Sequence, residues 1–387
     1  MKKALIIATV GRFYGFLKSD ISILQEMGYE VHCATNLHMN ALDAMEDFNV
    51  IRHQIDFARS PFARTNVQAF LQLKKLLRKN RFEVIHVHTP VGGILGRLAG
   101  RAYRAKGTKI FYTVHGFHFF AGAPFKNWLI FFPLEWLCSF WTDMLITINR
   151  EDYANAKKYL HAKHICYIPG VGVDIKKFAS PCADVSRVRE ELGIRDDEIM
   201  LLSVGEISER KNQKAVVAAL ARMRVDNLIY VICGTGDAGN VLEADMSEAW
   251  LERQVRFTGY RNDVGALYQA ADLFLLPSYQ EGVSMALLEA VASKTPVLCS
   301  RIRGSIDVIR DETLLFHPDQ PYELAALLRG KLFGDAKPSA TADRAQLAER
   351  MQASVEENYR NLQAFDIHRI AKRMRKVYAC GLGEKRM

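Results

Sequence analysis

The sequence predicts an α/β protein built as two doubly wound halves. Short apolar runs alternate with amphipathic, helix-favouring segments, the pattern that builds parallel sheets covered on both faces. The alternation occurs in two series, with a small, polar stretch at 180–186 between them. With 387 residues, 49% hydrophobic and 25% charged, the chain is long enough for two full cores and has the composition of a globular protein.

The first series opens with a strand at 4–9, a helix at 13–27 closed by Gly28, and a strand at 30–34. Gly11 lies in the loop at the carboxyl end of the first strand, the edge where open α/β sheets bind ligands. A basic helix at 67–79 and a strand Val84–Val87 follow, then His88, Thr89, Pro90, Gly92 and Gly93 leading into a helix. Lys109–Val114 is a strand that ends at His115, Phe117 and His118. Residues 144–148 form another strand and 150–160 a helix. Residues 165–172 carry Pro169 and two glycines, and 180–186 reads as the linker. The second series places strands at Ile199–Val204, Leu228–Cys233, 255–258, 271–276 and 296–300. Helices fall at 213–223, Val264–Ala270 and 285–293, with Asp263 as a helix cap. Residues 367–379 form an amphipathic basic helix.

Composition narrows the function. The start of the chain reads as a strand and not as a signal peptide, and residues 128–141, interrupted by Pro133 and Glu135, are too short to span a bilayer. Seven dispersed Cys with no Cys-x-x-Cys pair point to reduced thiols and a cytoplasmic setting. The net charge is +9, and residues 59–109 hold twelve cations against one acid, Glu83. No nucleic-acid module accompanies that excess, so an anionic membrane surface is the expected partner. Residues 128–141 read either as a buried helix hairpin or, with the aromatic residues from Phe117 onward, as part of that surface.

The chemistry concentrates where the strand at 271–276 turns into the helix at 285–293. Glu281 and Gly282 lie in the turn, followed by Val283, Ser284 and Met285, with Glu289 about one turn into the helix. A helix N-terminus offers unpaired N–H groups to phosphate. Two carboxylates roughly 12 Å apart suit the two sugar rings that flank a diphosphate. Taken alone, Glu-x7-Glu is also what two surface glutamates would give. Gly205 and Glu206 follow an earlier strand and lead to Arg210 and Lys211. Gly234, Gly236 and Gly239 spell Gly-x-Gly-x-x-Gly after another, which alone suggests a dinucleotide site. The ribose-binding acid of such a site is missing after the next strand, at Tyr260.

Glu281-Gly282 through Glu289-Ala290 resembles the Glu-Gly-x6-Glu-Ala signature of retaining GT-B glycosyltransferases of family four. The first-domain runs 86–93, 112–119, 122–128 and 145–153 resemble bacterial exopolysaccharide and capsule glycosyltransferases of the EpsD type. The resemblance covers essentially the whole chain. It implies a GT-B fold, two Rossmann-like domains facing each other across a cleft, here 1–180 and 181–364, with a helix at 365–387 crossing back to the first. It implies a UDP-sugar donor held by Gly11, Gly205, Arg210, Lys211, Gly234, Gly236, Tyr260, Glu281, Gly282, Val283, Ser284, Met285 and Glu289. Glu281, His115 and Lys211 would be catalytic, and His88, Gly92, Gly93, Phe117 and His118 would lie on the acceptor side. Glu206 stands where the family carries Arg, with Arg210 as the residue to replace it. The implied acceptor is a polyprenyl-diphosphate-linked saccharide at the inner face of the plasma membrane, and no metal or other cofactor is expected because no Asp-x-Asp occurs. Two readings from other classes are an isomerase resembling UDP-N-acetylglucosamine 2-epimerase and a nicotinamide-dependent oxidoreductase resting on Gly234 and Gly236. A non-catalytic nucleotide-sugar sensor would not need paired carboxylates and Lys211.

Overall fold

The computed structural model describes residues 2–39, 48–236, 249–336 and 341–383. In the first unit, β1 (Lys2–Val10), β2 (Tyr29–Asn36), β3 (Ile51–Gln54), β4 (Val84–Val87), β5 (Lys109–Val114), β6 (Met144–Thr147) and β7 (His164–Tyr167) form one parallel sheet in the order β3-β2-β1-β4-β5-β6-β7. The helices are α1 (Lys18–Glu26), α2 (Thr65–Lys79), α3 (Pro90–Gly100), α4 (Phe125–Ser139) and α5 (Arg150–Tyr159). Alternate residues of β1 feed opposite cores, as the two-residue period of a strand requires. Leu5 and Ile7 pack with α2, α3 and α4. Ala4, Ile6 and Ala8 pack with α1.

The second unit is a six-stranded parallel sheet in the order β10-β9-β8-β11-β12-β13. Its strands are β8 (Ile199–Val204), β9 (Leu228–Cys233), β10 (Val255–Gly259), β11 (Leu273–Leu276), β12 (Val297–Ser300) and β13 (Leu315–Phe316). Its helices are α6 (Ile175–Ala179), α7 (Val185–Glu191), α8 (Lys214–Met223), α9 (Ala249–Gln254), α10 (Val264–Ala270), α11 (Met285–Ala292), α12 (Arg303–Val308), α13 (Pro321–Phe333) and α14 (Arg344–Leu362). A last helix, α15 (Ile367–Leu382), returns Ile370, Met374 and Tyr378 to the α1 side of the first unit.

The units are Met1–Gly172 with His368–Met387, and Val173–Ile367. The first division therefore falls before the stretch at 180–186 that composition marks as a linker. Val173 bonds to Phe365 and Ile367, and Ile175 and Phe178 are buried in the second core. The Gln269 side chain donates to the carbonyls of Phe178 and Ser180 and accepts from the Cys182 N–H. Those contacts tie 173–182 to the second unit.

Other differences are local. Gly11–Phe16 is a 3-10 turn, so the first helix starts at Lys18 rather than 13. Residues 128–141 are not a hairpin; most of them belong to the single helix α4. The basic excess at 59–109 is partly internal. Arg97 is fully buried and its Nη2 lies 2.6 Å from Glu135, while Arg104 makes two bonds to Asp143. All seven Cys are free. Among the described residues no helix is long and apolar enough to cross a membrane.

Candidate active site

In an open parallel sheet, ligands bind at the carboxyl edge where the strand order reverses. In the second sheet that point lies between β8 and β11, and the loops after these two strands carry Arg210, Lys211 and Glu281. Lys211 Nζ lies 2.8 Å from Glu281 Oε1. Arg210 Nη1 lies 3.2 Å from the same oxygen and donates to the Gln280 carbonyl at 3.1 Å. Arg210 Nη2 is 3.8 Å from Glu206, so this guanidinium already serves two carboxylates. Burial opposes ionisation of Glu281, but Lys211 and then Arg210 hold its carboxyl below the usual range, and it is charged at neutral pH.

The loop around Glu281 is fixed from several sides. Arg303 Nε donates to the Glu281 carbonyl, and the Arg210 backbone carbonyl accepts from the Tyr279 N–H. Gly282 abuts α12, where a Cβ on Gly304 would come within 2.3 Å of the Gly282 oxygen. Ser284 caps α11 by accepting from Leu287, with Val283 and Met285 on either side. Asn212, at φ +56, donates to the carbonyls of Pro277 and Pro318 and ties the β8 loop to the β11 loop. Further along α11, Glu289 accepts from the hydroxyl of fully buried Tyr268 at 2.9 Å. Burial raises the Glu289 pKa, with the Tyr268 bond opposing.

Gly234 and Gly236 have a structural reason to be glycines. A Cβ on Gly234 would lie 1.9 Å from the carbonyl oxygen of Gly205, and one on Gly236 would lie 2.0 Å from that of Ile207. The β9 loop thus rests directly on the β8 loop that carries Arg210 and Lys211, an arrangement that needs no dinucleotide. Gly239 lies outside the described residues. Tyr260 is 77% exposed after β10. Asp263 stands at the start of α10, but its side chain makes no capping bond; it pairs with Arg261 instead. A cation two residues away outcompetes the neutral N–H groups of the helix end.

In the first sheet the order reverses between β1 and β4. Gly11 is buried at the end of β1, and the Thr9 and Thr89 hydroxyls meet at 2.7 Å. His88 and His115 follow β4 and β5, with His88 Nδ1 3.0 Å from His115 Nε2. The Phe13 ring meets His115 edge-on at 4.7 Å. Beneath them, His86 Nε2 faces Thr113 at 2.8 Å and His86 Nδ1 faces the Tyr378 hydroxyl at 2.6 Å. Tyr378 donates to Asp20 at 2.8 Å. Its single proton is therefore used, and His86 Nδ1 is the donor to the tyrosine oxygen. Burial lowers the pKa of His115 to about 4. Burial, then the neighbouring His115, lowers that of His86 to about 3. Burial, then His86 and His115, holds His88 well below the ordinary value. All three are neutral imidazoles at pH 7.

One acceptor-side expectation changes, and another gains a structural reason. Phe117 is 2% exposed and stacks on Phe119 inside the core, so its ring is not a binding surface. Gly92 and Gly93 face the sheet, where a Cβ would meet the Thr89 hydroxyl or the Tyr112 ring at 2.9 Å, so α3 needs them in order to pack. His118 stacks on Phe131 of α4 at 4.3 Å. Sequence reading missed Tyr268, Arg303, Asp20 and Tyr378. Only Tyr378 left a trace, as an apolar-face position of the amphipathic last helix. Among the described residues no three His, Cys, Asp or Glu side chains are placed to hold a metal ion.

Two parallel-sheet units, each with charged or polar residues at its switch point, have the GT-B architecture seen in solved glycosyltransferases. Residues 184–347 match the family described as "Glycosyl transferases group 1", and residues 3–149 match "Glycosyl transferase 4-like". The chain belongs to this glycosyltransferase family. It is 38% identical over 316 residues to the putative glycosyltransferase EpsD of Bacillus subtilis, covering 80% of this chain and 81% of the relative. It is 31% identical over 255 residues to an Escherichia coli UDP-Gal:alpha-D-GlcNAc-diphosphoundecaprenol alpha-1,3-galactosyltransferase, covering 64% and 65% of the two chains. Among solved structures, Anabaena HepE in complex with UDP-glucose superposes with a TM-score of 0.78 at 16% identity, over 98% of this chain and 100% of that one.

Proposed function

We propose that the protein is a retaining glycosyltransferase that moves a hexose or N-acetylhexosamine from a UDP-sugar to a polyprenyl-diphosphate-linked saccharide in exopolysaccharide or capsule assembly. The observation that carries this reading is the Lys211–Glu281 pair at the β8/β11 switch point. It puts a cation for the departing diphosphate and a carboxylate for the sugar on adjoining loops. The relatives add support: HepE was solved with UDP and with UDP-glucose, and the E. coli relative is named for a UDP-sugar and an undecaprenol-linked acceptor.

In this reading Lys211, Arg210 and the amides at the start of α11 stabilise the charge that develops on the diphosphate as its bond to the anomeric carbon breaks. Gly205, Gly234 and Gly236 keep the β9 loop seated on the β8 loop that presents Arg210 and Lys211 to the donor, and Tyr260 lies beside the base. Glu281 orients the sugar hydroxyls and balances the oxocarbenium-like centre without bonding to it. Glu289, steadied by Tyr268, accepts from the ribose. The acceptor oxygen attacks from the face the diphosphate leaves, and its proton passes to the leaving phosphate. His115 and His88, as neutral imidazoles, can donate or accept a bond to a sugar hydroxyl without introducing charge. No metal is required in this scheme, and the protein acts at the cytoplasmic face of the plasma membrane as a peripheral protein.

The test is a thermal-stabilisation screen of nucleotide-sugars, followed by transfer to a short-chain polyprenyl-diphosphate saccharide with excess EDTA present. The expected product keeps the donor's anomeric configuration by NMR. Inversion, stabilisation by nicotinamide cofactors alone, or complete loss of transfer in EDTA restored by magnesium or manganese would each refute a stated part of this reading.

A further inference from the structure

The loop after β8 and the loop after β11 set two cations and two carboxylates in one row. The inner pair is Lys211 and Glu281, whose side chains are 13% and 11% exposed and meet at 2.8 Å. The outer pair is Arg210 and Glu206, 45% and 44% exposed, with Arg210 Nη2 3.8 Å from the carboxylate. Arg210 joins the two pairs, since its Nη1 lies 3.2 Å from Glu281. An anion that approaches Lys211 and Arg210 therefore approaches Glu206 as well, and the formal charges of the four groups cancel.

The backbone holds Glu206 in this place. Before it, the Gly205 N–H donates to the Cys233 carbonyl, and after it the Ile207 N–H donates to that of Thr235. Gln213 Nε2 donates to the Glu206 carbonyl at 3.0 Å, and the Ile207 side chain is buried. The loop cannot swing the carboxylate away without breaking those bonds. Stability does not account for the carboxylate either, because a long ion pair between half-exposed groups contributes little or nothing.

The ligand proposed for this site changes charge during the reaction. A UDP-sugar carries two negative charges, one on each phosphate. When the bond from the anomeric carbon to the β-phosphate oxygen breaks, the electron pair stays on that oxygen, and UDP leaves with a terminal phosphate. The proton that this phosphate takes from the acceptor is lost to water above about pH 6, the second pKa of such a group. UDP then carries three charges. A nearby carboxylate opposes both ligands, and it opposes UDP more.

We propose that Glu206 sets the balance between donor and product, weakening UDP more than the nucleotide-sugar and so hastening release of UDP. The proposal rests on the glycosyltransferase reading of the Lys211–Glu281 site. The same carboxylate withholds some stabilisation from the departing diphosphate. That cost is tolerable where product release, and not chemistry, limits turnover, as it does in many enzymes.

Calorimetry on the full chain, at about pH 8 and low salt, compares UDP with its β-methyl ester, which keeps the diphosphate but carries one charge fewer. One unit charge at this range, in water-like surroundings, changes affinity about threefold. Glu206→Gln should therefore tighten UDP more than the ester, shifting the ratio of the two affinities about threefold, and Glu206→Arg should shift it roughly tenfold. Stopped-flow displacement should show slower UDP dissociation in both variants, and added salt should shrink both shifts. Glu209 is exposed in the same loop and pairs with no cation among the described residues, so Glu209→Gln should leave the ratio as it is. Equal tightening of UDP and the ester would mean that the change only frees Arg210, and it overturns the proposal. So does an unchanged ratio, or a shift as large in Glu209→Gln. If the native chain binds neither ligand, the glycosyltransferase reading fails and takes the proposal with it. If it binds both and the ratio does not move, the proposal alone fails.

Discussion

The two switch points place functional side chains by opposite means. At the β8/β11 edge the groups are charged and hold one another, with Lys211 and Arg210 on a single Glu281 oxygen. At the β1/β4 edge they are three histidines that burial keeps neutral, pressed together without a cation or anion of their own except Asp20 below. The first arrangement is ready for a ligand that carries charge. The second suits a ligand read through hydroxyls. The same scaffold edge supports either, so the chemistry lies in the loops and not in the fold.

The comparison is tested most severely through the glycines that set each edge. Gly234→Ala forces a Cβ to 1.9 Å from a carbonyl oxygen at φ +149, where neither strand can easily yield. It should cost about 4 kcal/mol or prevent folding of the second unit, read by chemical denaturation. Gly93→Ala meets only the edge of the Tyr112 ring at 2.9 Å and should cost about 1–2 kcal/mol. Equal costs would mean that the two edges are equally rigid.

Lys211→Ala comes next. It removes the cation that holds Glu281, and UDP binding should weaken by about 1.5–3 kcal/mol, the range for a bond to a charged group. Calorimetry that shows unchanged UDP affinity in both Lys211→Ala and Glu289→Ala would take the donor site elsewhere. The corresponding change in the first unit, Tyr378→Phe, deletes the hydroxyl between His86 and Asp20. Leaving buried partners unpaired should cost roughly 1–3 kcal/mol in denaturation, with UDP affinity unaffected.

The smallest effect is the pH dependence. The folded pKa values of the three histidines lie below the unfolded value of 6.5, so the unfolded state takes up protons first as pH falls. The stability they contribute is complete above pH 6.5 and is lost progressively towards pH 4. Asp20, raised to about 6 by burial, works the other way and regains stability as pH falls through that window. One carboxyl offsets one histidine, and a net loss remains. Glu281, held low, keeps its full contribution until pH falls into the ordinary carboxylate range, where the unfolded state takes up its proton first. The first unit should therefore lose thermal stability between pH 6.5 and 4 while the second holds. Trp128, Trp136 and Trp141 report the first unit by fluorescence, against Trp250 alone in the second.

Much of this was legible in the sequence, because a parallel strand buried on both faces is a near-continuous apolar run. Ile199–Val204 and Leu228–Cys233 are such runs, and both are strands with the expected bounds. The strands β3 and β7 escaped because an edge strand can stay polar: Ile-Arg-His-Gln and His-Ile-Cys-Tyr carry no such pattern. At the site, Lys211 and Glu281 were each visible from local motifs, but their contact joins positions far apart in sequence, which no periodicity reports. Arg97 was counted with the surface charge because its ion partner, Glu135, lies on another helix. The resemblance puts Phe117 on the acceptor side, but a loop position says nothing of which way its ring turns, and it turns inward.

The last helix bears on how the chain is made. Ile370, Met374 and Tyr378 complete the α1 side of the first core, yet they are synthesised after the whole of the second unit. During translation, domains generally fold in order from the N-terminus. Here the first to emerge cannot finish first. Until α15 arrives, the β1–β4–β5 sheet shows the nascent chain's surroundings an apolar strip around Phe111 and a His86 without its tyrosine. The second unit is contiguous in sequence, so its core is complete once Ile367 is made, whereas the first waits for residues made after it.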